Sequence, residues 1–322
     1  TTRECVNVIR LHCCYIRKPG PRSEEPRTAE EWRSLFGRCL QNGRESMLDA
    51  IRLIVHGGAG APLHAEVRDA LLEFRAHAER RWKHLIRHLP DDDPARLRFG
   101  RYEFTFELRN VPPAPTLTEL QRRITAARAV RYTGWGPFLS LEREPHRPYV
   151  VDGVIEAWLG TPQDGVGRPR PDLCDFWRAE PRGRFFSLRA YDEDSATADG
   201  IDAGTIFDLT LPIWRLGEAL LFVGRIGRLY GENPRIVTHC RYLGLNDRVL
   251  SRMDGRGRVW PPARCRDSEV TLEADLSVVE VEDNLPEVVH SMLVPLYERF
   301  DFFALDRVLV VEELERMKGQ RV

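Results

Sequence analysis

Apolar and polar residues follow two periodicities along this chain, and one gives way to the other near residue 90. Between residues 62 and 89 the apolar positions recur at alternating four- and three-residue steps, which places them on one face of a long helix. This apolar stripe consists of Leu63, Val67, Leu71, Phe74, Ala78, Trp82, Leu85 and Leu89. Pro90 and the following DDDP end the pattern. We expect the stripe to pack on a core or on a partner helix.

After residue 95 the period changes to two. The segment 101–108 (RYEFTFEL) alternates strictly between apolar and polar residues, which predicts a β-strand with one apolar and one polar side. An Asp152-Gly153 turn is predicted next, and then a hairpin that joins CDFWRA to RFFSLRAY across Glu180–Gly183. Further strands are predicted at 235–243, 247–253 and 268–281, and residues 194–204 read as a loop.

Helices are predicted around 118–130, over 213–230, from Pro286 to about Phe300, and over roughly 304–318. Ahead of the 62–89 helix, residues 4–17 resemble a strand, and Thr28 with Glu31 forms a capping box that opens a helix. Another helix begins near Glu45. The predicted fold is therefore α+β, with an N-terminal strand and helical segment (1–90) followed by a mixed or antiparallel sheet domain with long packed helices (95–322).

Composition places the chain among ordinary globular proteins, with 42% hydrophobic and 30% charged residues. The seven cysteines form an odd set without regular spacing, as expected for reduced thiols in a cytosol. No apolar run approaches the ~20 residues that a membrane-spanning helix needs. We therefore predict a cytoplasmic protein without a membrane partner.

Arginine dominates the basic residues. Of 48 lysines and arginines, only Lys18, Lys83 and Lys318 are lysine, which leaves 45 arginines. A guanidinium does not lose its proton, so it serves neither as a general base nor as a Schiff-base amine. Catalytic lysine chemistry is therefore largely excluded.

Two arginine clusters are candidates for nucleic-acid binding. On the predicted hairpin, Arg178, Arg182, Arg184 and Arg189 alternate with aromatic residues. A second cluster surrounds Trp260 and consists of Arg252, Arg256, Arg258, Arg264 and Arg266. A basic, aromatic surface can follow a phosphate backbone and stack on bases. The structural alternative is that the aromatic residues belong to the core while the arginines lie at the surface.

Acidic residues supply an enzymatic alternative. Asp192, Glu193 and Asp194 follow the end of a predicted strand, where carboxylates can hold Mg²⁺ for phosphodiester hydrolysis. Neither lysine nor histidine accompanies them, and acids are also common in exposed turns. A metal-dependent nuclease is therefore an alternative function, and Mg²⁺ is its only implied cofactor.

His84 and His88 have the i, i+4 spacing that can bind a metal on a helix. The sequence offers neither the H-E-x-x-H pattern nor a third ligand beside them. A solvated helix face accounts better for the pair.

Several segments resemble a known bacterial family. CCYIRKPGPRSEEPRTAEEW (13–32) is similar to the last strand and exit of a Schlafen AlbA-like (putative DNA-binding) domain. Four later segments resemble the region that follows this domain in a group of those proteins. They are YTGWGPF (132–138), DFWRAEPRGRFFSLRAYDED (175–194), FDLTLPIWRLGEALLFVGRI (207–226) and LVPLYERFDFF (293–303).

The resemblance implies nucleic-acid binding, RNA cleavage and, in bacteria, regulation or anti-phage defence. Nuclease members of the family use clustered acids within the AlbA-like domain. No matching segment occurs here, so no catalytic residue is carried over, and the chain would be the C-terminal part of such a protein. Three hypotheses follow: a nucleic-acid recognition or regulatory region, a metal-dependent nuclease, and a scaffold that forms a homo-oligomer through the apolar stripe.

Overall fold

The chain divides into two compact units, Thr1–Gly58 and Ala59–Val322. The computed structural model describes residues 65–142, 144–160, 171–199, 201–253 and 259–319, all in the second unit. The strand predicted at 4–17 and the two helices predicted before residue 58 lie outside the described residues. Among the described helices, none is both long and apolar enough to cross a membrane.

A seven-stranded antiparallel sheet forms the centre of this unit, in the order β2-β3-β4-β5-β1-β7-β9. Two short strands, β6 and β8, form a separate parallel pair. The strands are β1 (Arg101–Arg109), β2 (Tyr149–Val151), β3 (Val154–Trp158), β4 (Asp175–Glu180), β5 (Arg184–Ala190), β6 (Ile206–Asp208), β7 (Arg235–Leu243), β8 (Val249–Ser251) and β9 (Glu269–Ser277).

Six α-helices accompany the sheet within the described ranges. They are α1 (Ala65–Ile86), α2 (Leu117–Ala127), α3 (Leu211–Tyr230), α4 (Val278–Asp283), α5 (Leu285–Tyr297) and α6 (Arg307–Gly319). The large core includes Leu216 and Leu220 of α3 together with Phe104 and Phe106 of β1. The predicted α+β fold class is confirmed.

Helix α1 buries its apolar stripe against the other face of the sheet. Phe74, Ala78 and Trp82 belong to a second core cluster that includes Phe176 of β4 and Phe186 of β5. The predicted helix is therefore confirmed over 65–86, and the part of its stripe that includes Phe74, Ala78 and Trp82 packs on the sheet of the same unit. The three-and-four spacing predicted a buried face but could not say which surface buries it.

The strand predicted at 101–108 is confirmed, and Glu103 and Thr105 on its polar side are buried as well as its apolar side. Glu103 is fully buried beneath α1, where Arg101 Nε and Arg241 Nη1 donate to its carboxylate at 2.9 and 3.0 Å. Arg75 of α1 lies 3.6 Å from the same carboxylate. Alternation reports which side a residue faces, whereas ion pairs with other elements allow the charged side to be buried.

Two predicted turns are confirmed by backbone angles in the left-handed region. Asp152 and Gly153 have φ of 51° and 73° between β2 and β3, and Gly183 has φ of 88° between β4 and β5. The strand predicted to run to residue 281 ends earlier, at Ser277. Its hydroxyl accepts a hydrogen bond from the Glu280 N–H at 3.0 Å, which caps α4. The predicted 194–204 loop instead begins within a 3₁₀ helix, Asp192–Asp199.

Candidate functional site

Arg189, the last arginine of the hairpin, is part of the protein interior. Its Nε and Nη2 donate to the two carboxylate oxygens of Asp175 at 2.5 and 2.7 Å. The carbonyls of Trp135 and Gly136 accept from Nη1 and Nη2 at 3.0 and 3.2 Å. Since both charged side chains are buried, Arg189 does not belong to a phosphate-binding surface.

Two more hairpin arginines are also paired with carboxylates. Arg178 is buried, and its Nε lies 3.1 Å from Glu156 Oε2. Arg184 donates to Glu107 and Glu180 at 2.8 and 3.1 Å. Only Arg182, at the tip of the turn, is exposed among the four. The hairpin therefore presents a single exposed arginine where the sequence suggested a row of four.

The three consecutive acids diverge. Asp192 accepts from Arg215 Nη2 at 2.6 Å, and Asp194 accepts two hydrogen bonds from Arg248 at 2.7 and 2.9 Å. Glu193 is buried and accepts from a backbone N–H of β6 at 2.9 Å. A 3₁₀ helix has three residues per turn, so neighbouring side chains point about 120° apart. The expected convergence of these carboxylates on one Mg²⁺ does not occur.

Metal ligands are not brought together elsewhere in the described part of the chain, where no group of three or more His, Cys, Asp or Glu could hold an ion. His84 is exposed on α1, but the helix ends at Ile86, before His88 is reached. The Arg87 Nε donates to His88 Nε2 at 2.8 Å. The i, i+4 spacing predicts a shared face only inside a helix. His84 and His88 therefore do not share a helix face, and the spacing no longer supports a metal site.

A small cavity with a mostly apolar lining lies beside Arg189 and Arg215. The space open to the centre of a water molecule is about 20 Å³, room for about one water. Tyr102 lines it, and burial raises the pKa of this phenol to about 12. Arg189 is paired with Asp175 and Arg215 with Asp192, so the two guanidiniums are already balanced by carboxylates. The cavity has neither the size nor the charge to bind a phosphate.

The second arginine cluster has a different environment. Arg252 lies within 3.2 Å of Glu313, and its side chain is mostly buried. Arg256 and Arg258 lie outside the described residues. In contrast, the Arg264 and Arg266 side chains are 49% and 70% exposed. These two arginines are the part of the predicted cluster that the structure places on the surface.

The turn that follows α5 completes this surface. The Arg264 N–H donates to the Asp301 carboxylate at 2.9 Å, and Arg266 donates to the same carboxylate. The neighbouring Arg299 side chain is 56% exposed. We define the arginine–aromatic surface as these three arginines with two exposed aromatic residues: Trp260, Arg264, Arg266, Arg299 and Phe302. Phe302 is 92% exposed and Trp260 75%.

Solvent exposure separates these arginines from those of the hairpin. Each has a carboxylate partner at the surface: Asp247 for Arg264, Asp301 for Arg266 and Asp267 for Arg299. Exposed ion pairs are weak because water and salt compete with them. A phosphate can therefore replace a carboxylate here, whereas in the buried Arg189–Asp175 pair the exchange would leave a charge without compensation.

Arg299 and Phe302 were not among the predicted site residues. The sequence contains one signal for them, the run FDFF at 300–303, which follows a predicted helix. Three aromatic residues within one turn cannot all enter the same core. Which of them points outward depends on the backbone of the turn, which no periodicity specifies.

About half of the buried charged residues in the described part of the chain lie in the segments that carry the family resemblance. Segment 132–138 supplies carbonyl acceptors for Arg189, segment 175–194 supplies the buried Asp175, Arg189 and Asp194, and segment 207–226 supplies the buried Asp208 and Glu218. No family model, curated protein or solved structure matches this chain. The resemblance therefore rests on those segments alone.

Proposed function

We propose that this chain is a recognition or regulatory region that binds nucleic acid on the arginine–aromatic surface. The observation that carries the proposal is that Asp301, the neighbour of the exposed Phe302, accepts hydrogen bonds from the Arg264 backbone and the Arg266 guanidinium, which brings an exposed ring beside exposed arginines. Trp260 and Phe302 are the two most exposed large hydrophobic side chains among the described residues. Arginine forks fit phosphate oxygens, and aromatic rings offer faces on which bases stack.

Of the two arginine clusters predicted to bind nucleic acid, the hairpin is therefore set aside and the Trp260 segment is retained. On the hairpin, three of four arginines have buried or half-buried carboxylate partners. On the arginine–aromatic surface the partners are exposed, so phosphate binding does not require an ion pair to be broken in the interior.

A role beside a separate catalytic domain agrees with the resemblance to bacterial Schlafen AlbA-like proteins, which are associated with regulation and anti-phage defence. We do not extend the proposal to a nuclease centred on residues 192–194. Asp192 and Asp194 are held by Arg215 and Arg248, and their side chains diverge. The homo-oligomer formed through the apolar stripe is not proposed either, because the sheet covers Phe74, Ala78 and Trp82 of that stripe.

The test is a comparison of two triple variants by fluorescence anisotropy with labelled 20-nucleotide RNA and DNA over a range of salt. One variant removes the charges of the surface: Arg264→Gln, Arg266→Gln and Arg299→Gln. The control removes three exposed, carboxylate-paired arginines elsewhere: Arg122→Gln, Arg147→Gln and Arg307→Gln.

We expect the unmodified protein to bind with an affinity that falls steeply with salt. The surface variant should bind at least tenfold more weakly, and its salt slope should be smaller by about 0.7 for each phosphate of a single strand that is no longer neutralised. The control should retain its affinity. Equal binding by the two triple variants, or no binding by the unmodified protein, would overturn the proposal.

A further inference from the structure

Phe302 is held outward by its backbone. Both Asp301 and Phe302 lie in the left-handed region, with φ of 48° and 62°. Glycine adopts this conformation readily. Bulky residues such as phenylalanine rarely do, because their Cβ approaches the backbone. The ring gains no burial in return, since Phe302 is 92% exposed. A strained backbone that presents an aromatic ring to solvent is typical of functional positions.

The turn around Phe302 is fixed on both sides. The Phe302 N–H donates to the Glu298 carbonyl at 3.1 Å. Phe300 is buried and stacks on Phe207 at 5.1 Å between ring centroids, while Phe303 contacts the Tyr297 ring at 6.1 Å. The two flanking rings therefore anchor the turn, and the backbone of Phe302 between them is held at the surface.

The same turn brings Phe302 to the arginines. Its neighbour Asp301 accepts hydrogen bonds from the Arg264 backbone and from the Arg266 guanidinium. A short bridge between Cys265 and Phe300 joins the two segments through their backbones. The aromatic ring is thus presented beside cationic groups that suit a phosphate backbone.

We infer that the nucleic acid bound here is single-stranded and that an unpaired base stacks on Phe302. This inference rests on the proposed function. In a duplex the base faces are covered by neighbouring bases, so an exposed ring finds a face only where bases are unpaired. A phenylalanine ring has no hydrogen-bonding group, so it selects for stacking and not for base identity. Phosphates would lie against Arg264 and Arg266.

The charges favour this ligand over a protein partner. An interface that buries Phe302 against another protein would also desolvate the surrounding arginines and their acids, which is costly without matched partners. A flexible single strand can stack a base while its phosphates remain partly hydrated. Association with a protein, including a second copy of this chain, is therefore an outcome that the experiment must detect.

The experiment compares Phe302→Ala and Phe302→Trp on four labelled probes of equal length: single-stranded RNA, single-stranded DNA, duplex DNA and an abasic single strand. Val308→Ala, which shortens an exposed apolar side chain on α6, is the control. We expect Phe302→Ala to bind the strands that carry bases about tenfold more weakly. Binding to the abasic strand should not change, and Phe302→Trp should restore the affinity.

Equal loss on the abasic strand, or tighter binding of duplex by the unmodified protein, would overturn single-strand stacking while leaving nucleic-acid binding in place. A Phe302-dependent self-association, measured as mass in solution, would overturn it in favour of a protein interface. If the unmodified protein binds none of the probes, the proposed function fails together with this inference.

Discussion

Asp175 and Arg189 lie directly opposite each other on β4 and β5, and their buried side chains form two hydrogen bonds. The register of the hairpin places them face to face, and the Trp135 indole N–H also donates to Asp175 at 2.7 Å. An arginine that alternation assigns to a strand surface thus becomes part of the interior. This buried pair is the reason why the hairpin arginine stabilises the fold and is not available to bind a ligand.

Replacement of Asp175 by asparagine should destabilise the protein by about 3–5 kcal/mol, because it leaves the buried Arg189 charge without its partner. Urea unfolding followed by tryptophan fluorescence measures the change. Glu287→Gln, which breaks an exposed pair with Arg307, is the matched control and should have little effect. Similar unfolding midpoints for the two variants would contradict a structural role for the buried pair.

Arg248 should not tolerate lysine. Its side chain is fully buried, forks onto Asp194, and donates to the carbonyls of Phe99, Gly244 and Ile206. Lysine keeps the charge but cannot reproduce the fork, so we expect a loss of about 2 kcal/mol or more.

Thermal unfolding of Arg248→Lys beside Arg182→Lys provides the measurement, since Arg182 is exposed. An unchanged melting temperature for Arg248→Lys would show that the two hydrogen bonds from the Arg248 guanidinium are not needed to hold the buried Asp194 carboxylate. In that case Asp194 would again be a candidate ligand.

Glu193 should make the stability depend on pH. Burial raises the pKa of its carboxyl to about 8 from an ordinary value of 4.5, against a hydrogen bond from the Asp208 N–H that lowers it. Between these values the folded state retains a proton that the unfolded state has released. The contribution of this group is therefore complete below about pH 4.5 and is lost as the pH rises toward 8.

Glu193→Gln removes this titration, so its free energy of unfolding should rise relative to the unmodified protein between pH 5 and pH 9. Denaturant unfolding at several pH values gives the difference directly. The exposed Glu232→Gln serves as the control. A difference that stays constant or falls with pH would be inconsistent with a buried, protonated Glu193.

Trp82→Ala should cost about 3–5 kcal/mol, since the indole is buried between α1 and the sheet. The mass in solution should not change, because the stripe that contains Trp82 is covered within its own unit. Light scattering and unfolding are measured on the same samples, with the exposed His84→Ala as control. A lower mass for Trp82→Ala would instead place the stripe in an interface between copies.

Local sequence signals were sufficient for most of the secondary structure. β7 occupies 235–243 as predicted, and α3 covers the predicted 213–230 with two additional residues at its start. The end of β9 was not predictable in this way. The apolar pattern continues past Ser277, where the side-chain hydroxyl caps α4 and the strand ends. The candidate site was only partly predictable. Trp260, Arg264 and Arg266 were found as a cluster, whereas Phe302 depends on the conformation of one turn.

The sequence by itself determined the α+β fold class, the position of the long helix and the hairpins, because these depend on periodicity and turn residues within a few positions. Only the tertiary structure decided which charges are exposed. Ion pairs join distant residues, such as Arg248 with Asp194 across 54 positions and Arg241 with Glu103 across 138. Burial strengthens such pairs and removes their arginines from the surface, so the accessible arginines could be identified only after the chain had been folded.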